Sequence, residues 1–564
     1  MLCFDLGQAI AAAALDTYTS IPPNGKPRRR SNCQSEWTVL AAVCLYRQLD
    51  NHAHYDVRCV SLGTGLKALP HARLPVHGDV LHDSHAEVIA RRGFKLWLYR
   101  QIERAARDER ERVHGEGDLL IERVDGEWSL KPGWKAAFYV STLPCGDAST
   151  YFLSLSAPVD SDHAPTTTSS TCSSSSSGRV GEGAASPRHP SLAVAASLGM
   201  HTSRDPHSPT PSSSSLPASP ITSSTPTSLS PTPPAVHRGR ASYSTLSILR
   251  TKPGRADSPP TTSHSCSDKL ALWALVGLQG ALLARAGMRA VPLEALVVGG
   301  FERVSDDEDG VETRERVRDE CVRAVGGRIE SWARRIGLGE DEYRVPQVGF
   351  APRAFEGARE VVAEREAVDL ADVAGCAESL SYIANLDSAP AVEIITNGIR
   401  QGASAKRKPE QPLGPKNRSR LCKLSLYQTH LSIVDKLSSI SADDAASTSA
   451  RSATESAPLA RSPSSLFASS STYFSTKHPP TTPSPPPLPL LASTLAGLSA
   501  VERYRLLKAL VREPGEGPFA GWLVSGREWE SFDAEGCVGS VAADAVVHRE
   551  ERDSEGARAG EAQM

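Results

Sequence analysis

The chain has 564 residues and a formal net charge of -3. That balance excludes a globally basic nucleic-acid-binding protein, so any contact with a polynucleotide must be a local patch. No apolar run is long enough to span a bilayer, and the first residues lack the n-region, h-region and cleavage site of a secretory signal. These features predict a cytosolic or nuclear protein with no membrane partner.

In chain order, the basic run "KPRRR" (Lys26 to Arg30) reads as a nuclear signal or a solvated loop. The stretch "LHDSHAEVIARR" (81 to 92) places Ser84 three residues before Glu87 and ahead of Val88 and Ile89, the pattern of a helix-starting capping box. It also sets His85 two positions from Glu87, so a metal ligand and an acid/base group are both available there. "AAFYVSTLPCGDAS" predicts a strand over 136 to 142 that breaks at Pro144 and presents Cys145. Residues 154 to 240 are dominated by Ser, Thr and Pro, with too few large apolar side chains to offset the entropy of ordering. "RTKPGR" then puts Lys252 and Arg255 on a Gly/Pro turn, and Cys266 opens an apolar helix read to about residue 284. Both cysteines fall at predicted helix N-termini, where the positive end of the macrodipole lowers a thiol pKa and favours thiolate.

A second polar stretch covers 441 to 490, and an acidic tail follows residue 540. What remains, somewhat under about 400 residues, reads as one domain over 1 to 540, interrupted twice. Eleven cysteines at irregular spacing in an intracellular chain point to metal ligation before disulfides. Either Cys145 or Cys266 alone is well explained as a small buried hydrophobe. With His85 and a non-ligand Glu87, however, they make a His/Cys/Cys set of the kind that activates water for attack on a nucleobase. Sixty positions separate His85 from Cys145 and a further 121 lead to Cys266, far from the short two-residue cysteine spacing of many such sites.

Eight segments carry a more specific likeness: "SEWTVLAAV" (35 to 43), "SLGTGLKAL" (61 to 69), "GDVLHDSHAEVIARRGF" (78 to 94), "STLPCGDAS" (141 to 149), "LRTKPGRADS" (249 to 258), "SCSDKLALWALVGLQGALL" (265 to 283), "SRLCKLSLY" (419 to 427) and "GWLV" (521 to 524). In composition and order they resemble the eukaryotic tRNA-specific adenosine deaminases, relatives of the double-stranded-RNA adenosine deaminases. No double-stranded-RNA-binding module precedes them, which favours the tRNA branch.

The resemblance implies a cytidine-deaminase-like α/β fold: a mixed sheet with helices on both faces, a C-terminal helical extension and two disordered insertions. It implies zinc held by His85, Cys145 and Cys266, with Glu87 as proton shuttle, and Lys67, Lys252 and Arg255 near the substrate. The expected reaction converts the adenosine just 3′ of the anticodon of tRNA-Ala to inosine, without an obligatory protein partner.

Arg92 lies seven residues after His85 and Lys269 three after Cys266, spacings that return each side chain to its ligand's helical face. In the double-stranded-RNA editing relatives a buried inositol hexakisphosphate meets such cations. The resemblance extends that role to Arg91, Arg92, Lys269, Trp273, Lys423, Tyr504, Lys508 and Trp522. Tyr473 and Lys477 repeat the spacing of Tyr504 and Lys508.

The chain departs from the family at Leu66 (usually threonine), His82 (asparagine), Leu272 (arginine), and Val524 and Ser525 (commonly charged). Two other readings stay open at this point: a deaminase of free nucleosides, for which the C-terminal part is surplus, and a catalytically silent RNA-binding scaffold, for which Glu87 is surplus.

Overall fold

The structure, a computed structural model, describes residues 2–49, 54–111, 119–156, 236–238, 245–252, 258–301, 308–385, 391–404, 411–449, 471–478, 494–495 and 497–538. Helix α1 (Phe4–Ser20) opens the chain and is followed by the short β1 (Glu36–Trp37) and the pair β2 (Leu40–Gln48) and β3 (Tyr55–Thr64). Along β2, Leu40, Ala42, Cys44 and Tyr46 join the core under α1, whereas Ala41, Val43 and Leu45 join the larger core opposite. Period-two alternation with both faces apolar is what a central strand buried on both sides requires.

A second hairpin, β4 (Leu66–Ala68) and β5 (Asp83–His85), feeds directly into α2 (Ala86–Glu111). Gly65 makes the entry possible: its φ is +145°, and a Cβ there would stand 2.0 Å from the Ser84 carbonyl oxygen. Ser84 pairs with Lys67 in this hairpin. It therefore sits one residue outside the N-cap position, and the anticipated capping box gives way to strand pairing.

The hairpin β6 (Ile121–Val124) and β7 (Glu127–Leu130) precedes β8 (Lys135–Val140), the strand read from the sequence, and α3 (Asp147–Ser156). After the first insertion, β9 (His237–Arg238) pairs with β10 (Arg250–Thr251). Helix α4 (Cys266–Val276) starts at Cys266 as expected but stops short of residue 284. Gly277 takes φ +85°, and the Gln279 side chain braces the break by bonding Val276 O and Val291 N before α5 (Gly280–Arg285) resumes. Strand β11 (Leu293–Val298) follows; α6 (Glu308–Val322) passes through a π turn into α7 (Arg328–Arg335), and then come β12 (Gln347–Phe350), α8 (Arg359–Glu366), β13 (Ala374–Gly375), β14 (Glu378–Ile383), β15 (Val392–Thr396) and β16 (Ile399–Arg400). The C-terminal helices are α9 (Lys423–Ser449), α10 (Tyr473–Lys477) and α11 (Ala500–Leu510).

Eight strands form one mixed sheet in the order β12-β11-β8-β2-β3-β14-β15-β16, parallel from β12 to β8 and antiparallel beyond. Helix α1 covers one face; α2 and α4 lie against the other, so helices cover both, as the resemblance implied. The insertions are narrower than their composition suggested. Helix α9 runs on to Ser449, and α10 lies inside the second polar stretch because Tyr473 is buried, stacked on Phe532 at 5.0 Å and edge-on to Tyr427 at 5.6 Å. The rest of both stretches and the tail after residue 538 lie outside the described residues. Among the described residues, no helix is long and apolar enough to cross a membrane. Lys26 to Arg30 is partly structural: Lys26 stands over the Tyr18 ring at 4.4 Å and Arg30 pairs with Glu36 at 2.7 Å.

Loop length costs stability only logarithmically. Deleting residues 160 to 234 and joining the ends is therefore expected to shift the thermal midpoint by no more than about 3 °C. A larger fall, read by calorimetry, would show that the segment holds part of the fold.

Candidate active site

Four elements bring the candidate residues together. Hairpin strand β5 carries Asp83 and His85, the first turn of α2 carries Glu87, the loop after β8 carries Cys145, and α4 begins with Cys266. Cys145 is clamped to the start of α4: its Sγ accepts from the Cys266 amide at 3.3 Å, and its carbonyl accepts from the Ser267 amide at 3.0 Å. His85 Nδ1 donates to Asp83 Oδ1 at 2.9 Å, which fixes the tautomer and leaves Nε2 as the available donor atom. Glu87 is 4% exposed, and among the described residues its carboxylate makes no hydrogen bond or ion pair.

Asp83 is the hub. Besides His85 it accepts from Lys252 Nζ at 3.0 Å, Ser263 Oγ at 2.5 Å and Lys269 Nζ at 2.5 Å. Burial opposes its charge, but Lys252, Lys269 and His85 outweigh it and hold the carboxyl well below the usual range. Lys252, only 3% exposed, also reaches Cys266 Sγ at 3.1 Å. Burial works against this ammonium too, yet Asp83 and the two thiols raise its pKa. Lys252, from the loop that the resemblance places near the substrate and the core, is directed inward, onto the thiol and the carboxylate. Lys67 lies exposed on β4, and Arg255 falls outside the described residues.

The two thiols differ. A hydrogen bond from Cys266 first, then Lys252 and His85, lower Cys145, whereas burial raises Cys266. At Cys266 desolvation opposes the helix dipole. Among the described residues no three His, Cys, Asp or Glu side chains stand as a preassembled metal cage. The donor chemistry nevertheless fits zinc: one imidazole nitrogen free and oriented by a carboxylate, and two adjacent sulfurs, one already biased toward thiolate.

On the other side of Asp83 lies a cavity of about 530 Å³. Its lining includes all eight residues that the sequence grouped there: Arg91, Arg92, Lys269, Trp273, Lys423, Tyr504, Lys508 and Trp522. Tyr473 and Lys477 join them, as do Lys95 and Arg512, which sequence reasoning missed although each lies four residues after an assigned cation, Arg91 and Lys508. The aromatics serve as platforms: Arg91 lies over Trp273 at 4.6 Å and Arg512 over Trp522 at 4.6 Å. Eight lysines and arginines line the cavity against two carboxylates, Asp83 and Glu530. Glu530 bonds Lys423 at 3.0 Å and Lys477 at 2.7 Å. Burial and the neighbouring cations push Lys95 and Lys508 well below the ordinary lysine range. Lys423 is brought down to about 8, chiefly by burial and only partly offset by Glu530. The departures from the family, His82, Leu272, Val524 and Ser525, also line this cavity.

Comparison with known proteins defines the class. Residues 61–469 match the adenosine-deaminase (editase) domain, and the chain belongs to that family. Among its relatives is the "tRNA-specific adenosine deaminase 1" of Mus musculus, 30% identical over 468 residues, which span 75% of this chain and 86% of that protein. The Saccharomyces cerevisiae protein of the same name is 28% identical over 269 residues, 47% of this chain and 51% of that one. The Drosophila melanogaster "Double-stranded RNA-specific editase Adar" matches over 112 residues at 30% identity, 20% of this chain and 16% of that one.

The crowded cations make a pH prediction. With Lys423 at about 8 when folded and 10.5 when free, the unfolded chain binds the proton more tightly between those values. Stability therefore rises with pH through that window and is lost as pH falls through 8. In protein stripped of bound anions, urea denaturation is expected to show wild type gaining stability relative to Lys423→Met between about pH 8 and 9.5. A constant difference would contradict this account.

Proposed function

We propose that this protein is a zinc-dependent deaminase that converts adenosine to inosine in tRNA, at the nucleotide just 3′ of the anticodon of tRNA-Ala. Family membership supports adenosine deamination, and the names of its relatives support tRNA. The observation that carries the mechanism is the unengaged Glu87 carboxylate, buried at the first turn of α2 within electrostatic reach of both thiols and Lys252.

His85 through Nε2, Cys145 and Cys266 would hold zinc, leaving a fourth position open. Bound there, the metal supplies the Lewis acidity that lets a water lose a proton near neutral pH. Glu87 accepts that proton and delivers it to N1 of the adenine as the water oxygen bonds C6; it then moves the remaining proton of the new C6 hydroxyl to the exocyclic amine, so that the C6–N6 bond breaks, ammonia leaves and the C6 carbonyl forms. Asp83 keeps the His85 ring oriented, and Lys252 offsets the negative charge of the thiolate pair. A structural metal site has no use for a free carboxylate, which argues against a silent scaffold. The cation cavity would take inositol hexakisphosphate, whose phosphates answer the surplus of buried lysine and arginine.

Glu87→Ala is expected to lower inosine formation in tRNA-Ala by at least about 10²-fold while zinc content stays stoichiometric. Substantial residual activity would remove Glu87 from the reaction. Cys266→Ala should instead lose metal and soluble fold, since zinc binding and folding are coupled. Retained zinc would strike Cys266 from the ligand set.

Mass spectrometry of the denatured active protein should release inositol hexakisphosphate, and Lys269→Ala should be insoluble. Active protein free of any polyphosphate would leave ordinary ion pairs as the account of the cavity.

A further inference from the structure

Beside the hairpin that carries His85 lies a part of the sheet with no role in the proposed chemistry. Strand β14 runs antiparallel to β3 with Ser381 opposite Gly63, and β15 runs antiparallel to β14 with Thr396 opposite Glu378. Glu378 and Thr396 therefore stand level with the end of β3, where Gly65 turns into the hairpin bearing His85. The β15–β16 turn is fastened to that hairpin's approach, because Leu81 N donates to Gly398 O at 2.8 Å.

Here a second cavity, also about 530 Å³, is walled by Leu69 and Val80, which flank the hairpin, and by Arg73, Thr396, Asn397 and Arg400. Arg73 and Arg400 are exposed, and among the described residues neither guanidinium makes a hydrogen bond or an ion pair. The one carboxylate in the wall, Glu378, is already engaged by Gln401 Nε2 at 2.6 Å and by Arg28 at 3.7 Å. Thr396 Oγ1 is shielded from solvent without a partner among the described residues. Asn397 sits exposed at the tip of the turn in the left-handed region at φ 51°, followed by Gly398 at φ 80°.

We propose that this cavity binds a backbone phosphate of the substrate RNA, with Arg73 and Arg400 as its clamp. Two unpaired guanidinium forks match phosphate oxygens, while Thr396 and Asn397 offer neutral donors between them. A free nucleoside seated at Glu87 has no group to place here, whereas a polynucleotide carries a phosphodiester on either side of its target base. The clamp thus adds affinity for the polymer over the monomer and fixes the strand's path past the hairpin, without reading sequence. The inference rests on the RNA-deaminase reading.

The test is Arg73→Ala/Arg400→Ala in the full chain, assayed for inosine formation against tRNA concentration at several salt concentrations, with the thermal midpoint as a check on folding. The expected result is a KM for tRNA raised about tenfold with kcat within about twofold, and a salt dependence of log KM shallower by about one to two units. Arg73→Lys/Arg400→Lys should recover part of the loss. An unchanged KM and salt slope alongside an active wild type would overturn the clamp alone, as would a loss confined to kcat. A folded, zinc-loaded wild type that forms no inosine in any tRNA would overturn the deaminase reading itself.

Discussion

The Asp83 carboxylate ties the candidate site together. It is 5% exposed and receives four side chains, from His85, Lys252, Ser263 and Lys269. Removing one partner of a buried ion pair typically costs about 3–5 kcal/mol, because the other charge is left in a medium that cannot solvate it. Asp83 leaves two such charges: Lys252, which touches Cys266, and Lys269, which lines the cation cavity. The orientation of the His85 ring, the charge balance of the thiols and the filling of the large cavity are therefore not separable. A disturbance in the cavity reaches His85 through two hydrogen bonds.

A second buried carboxylate gives the arrangement its rigidity. Asp268, 0% exposed, accepts from the Arg250 amide at 3.0 Å, Ser265 Oγ at 2.7 Å and Arg328 Nη2 at 2.5 Å. It thereby pins β10, the start of α4 and α7 to one point. Lys252 leaves β10 and Cys266 opens α4, so the short lysine–sulfur distance follows from this clamp and not from the flexible side chain alone. Asp268 is thereby committed to Arg328, and Lys269 is left to Asp83.

The parts legible in the sequence are those whose signals are local. Cys266 opening an apolar helix and Cys145 after a strand break follow from turn residues and periodicity, and both settings are as read. Three features were hidden because tertiary contacts decide them. The break after Val276 depends on Gln279 reaching Val291, and the strand at Asp83–His85 depends on pairing with β4 across a loop of fourteen residues. The helical turn at Tyr473 depends on Phe532 and Tyr427, far away in sequence. Polar composition around that turn concealed a single aromatic anchor. The part played by Asp83 is equally non-local, since nothing near it in sequence shows that Lys252, Ser263 and Lys269 converge on it.

The cation cavity shows how far substitutions in its wall are absorbed. Leu272, 5% exposed, gives an apolar surface where the resemblance implied an arginine, and His82, its pKa pushed down to about 4 chiefly by burial, adds no charge at neutral pH. Read alone, these changes subtract cations. Lys95 and Arg512 stand in the same wall, each one helical turn from an assigned cation, so the surplus over Asp83 and Glu530 remains six. A charge excess of that size among buried groups is unfavourable by itself, as the depressed lysines Lys95, Lys423 and Lys508 record. Hydrophobic packing around Trp273, Tyr504 and Trp522 holds the groups in place but cannot neutralise them. The fold is thus built with a deficit of negative charge at the spot where its central carboxylate meets the hairpin bearing His85, and a polyanion seated there would stabilise the network that orients that ring.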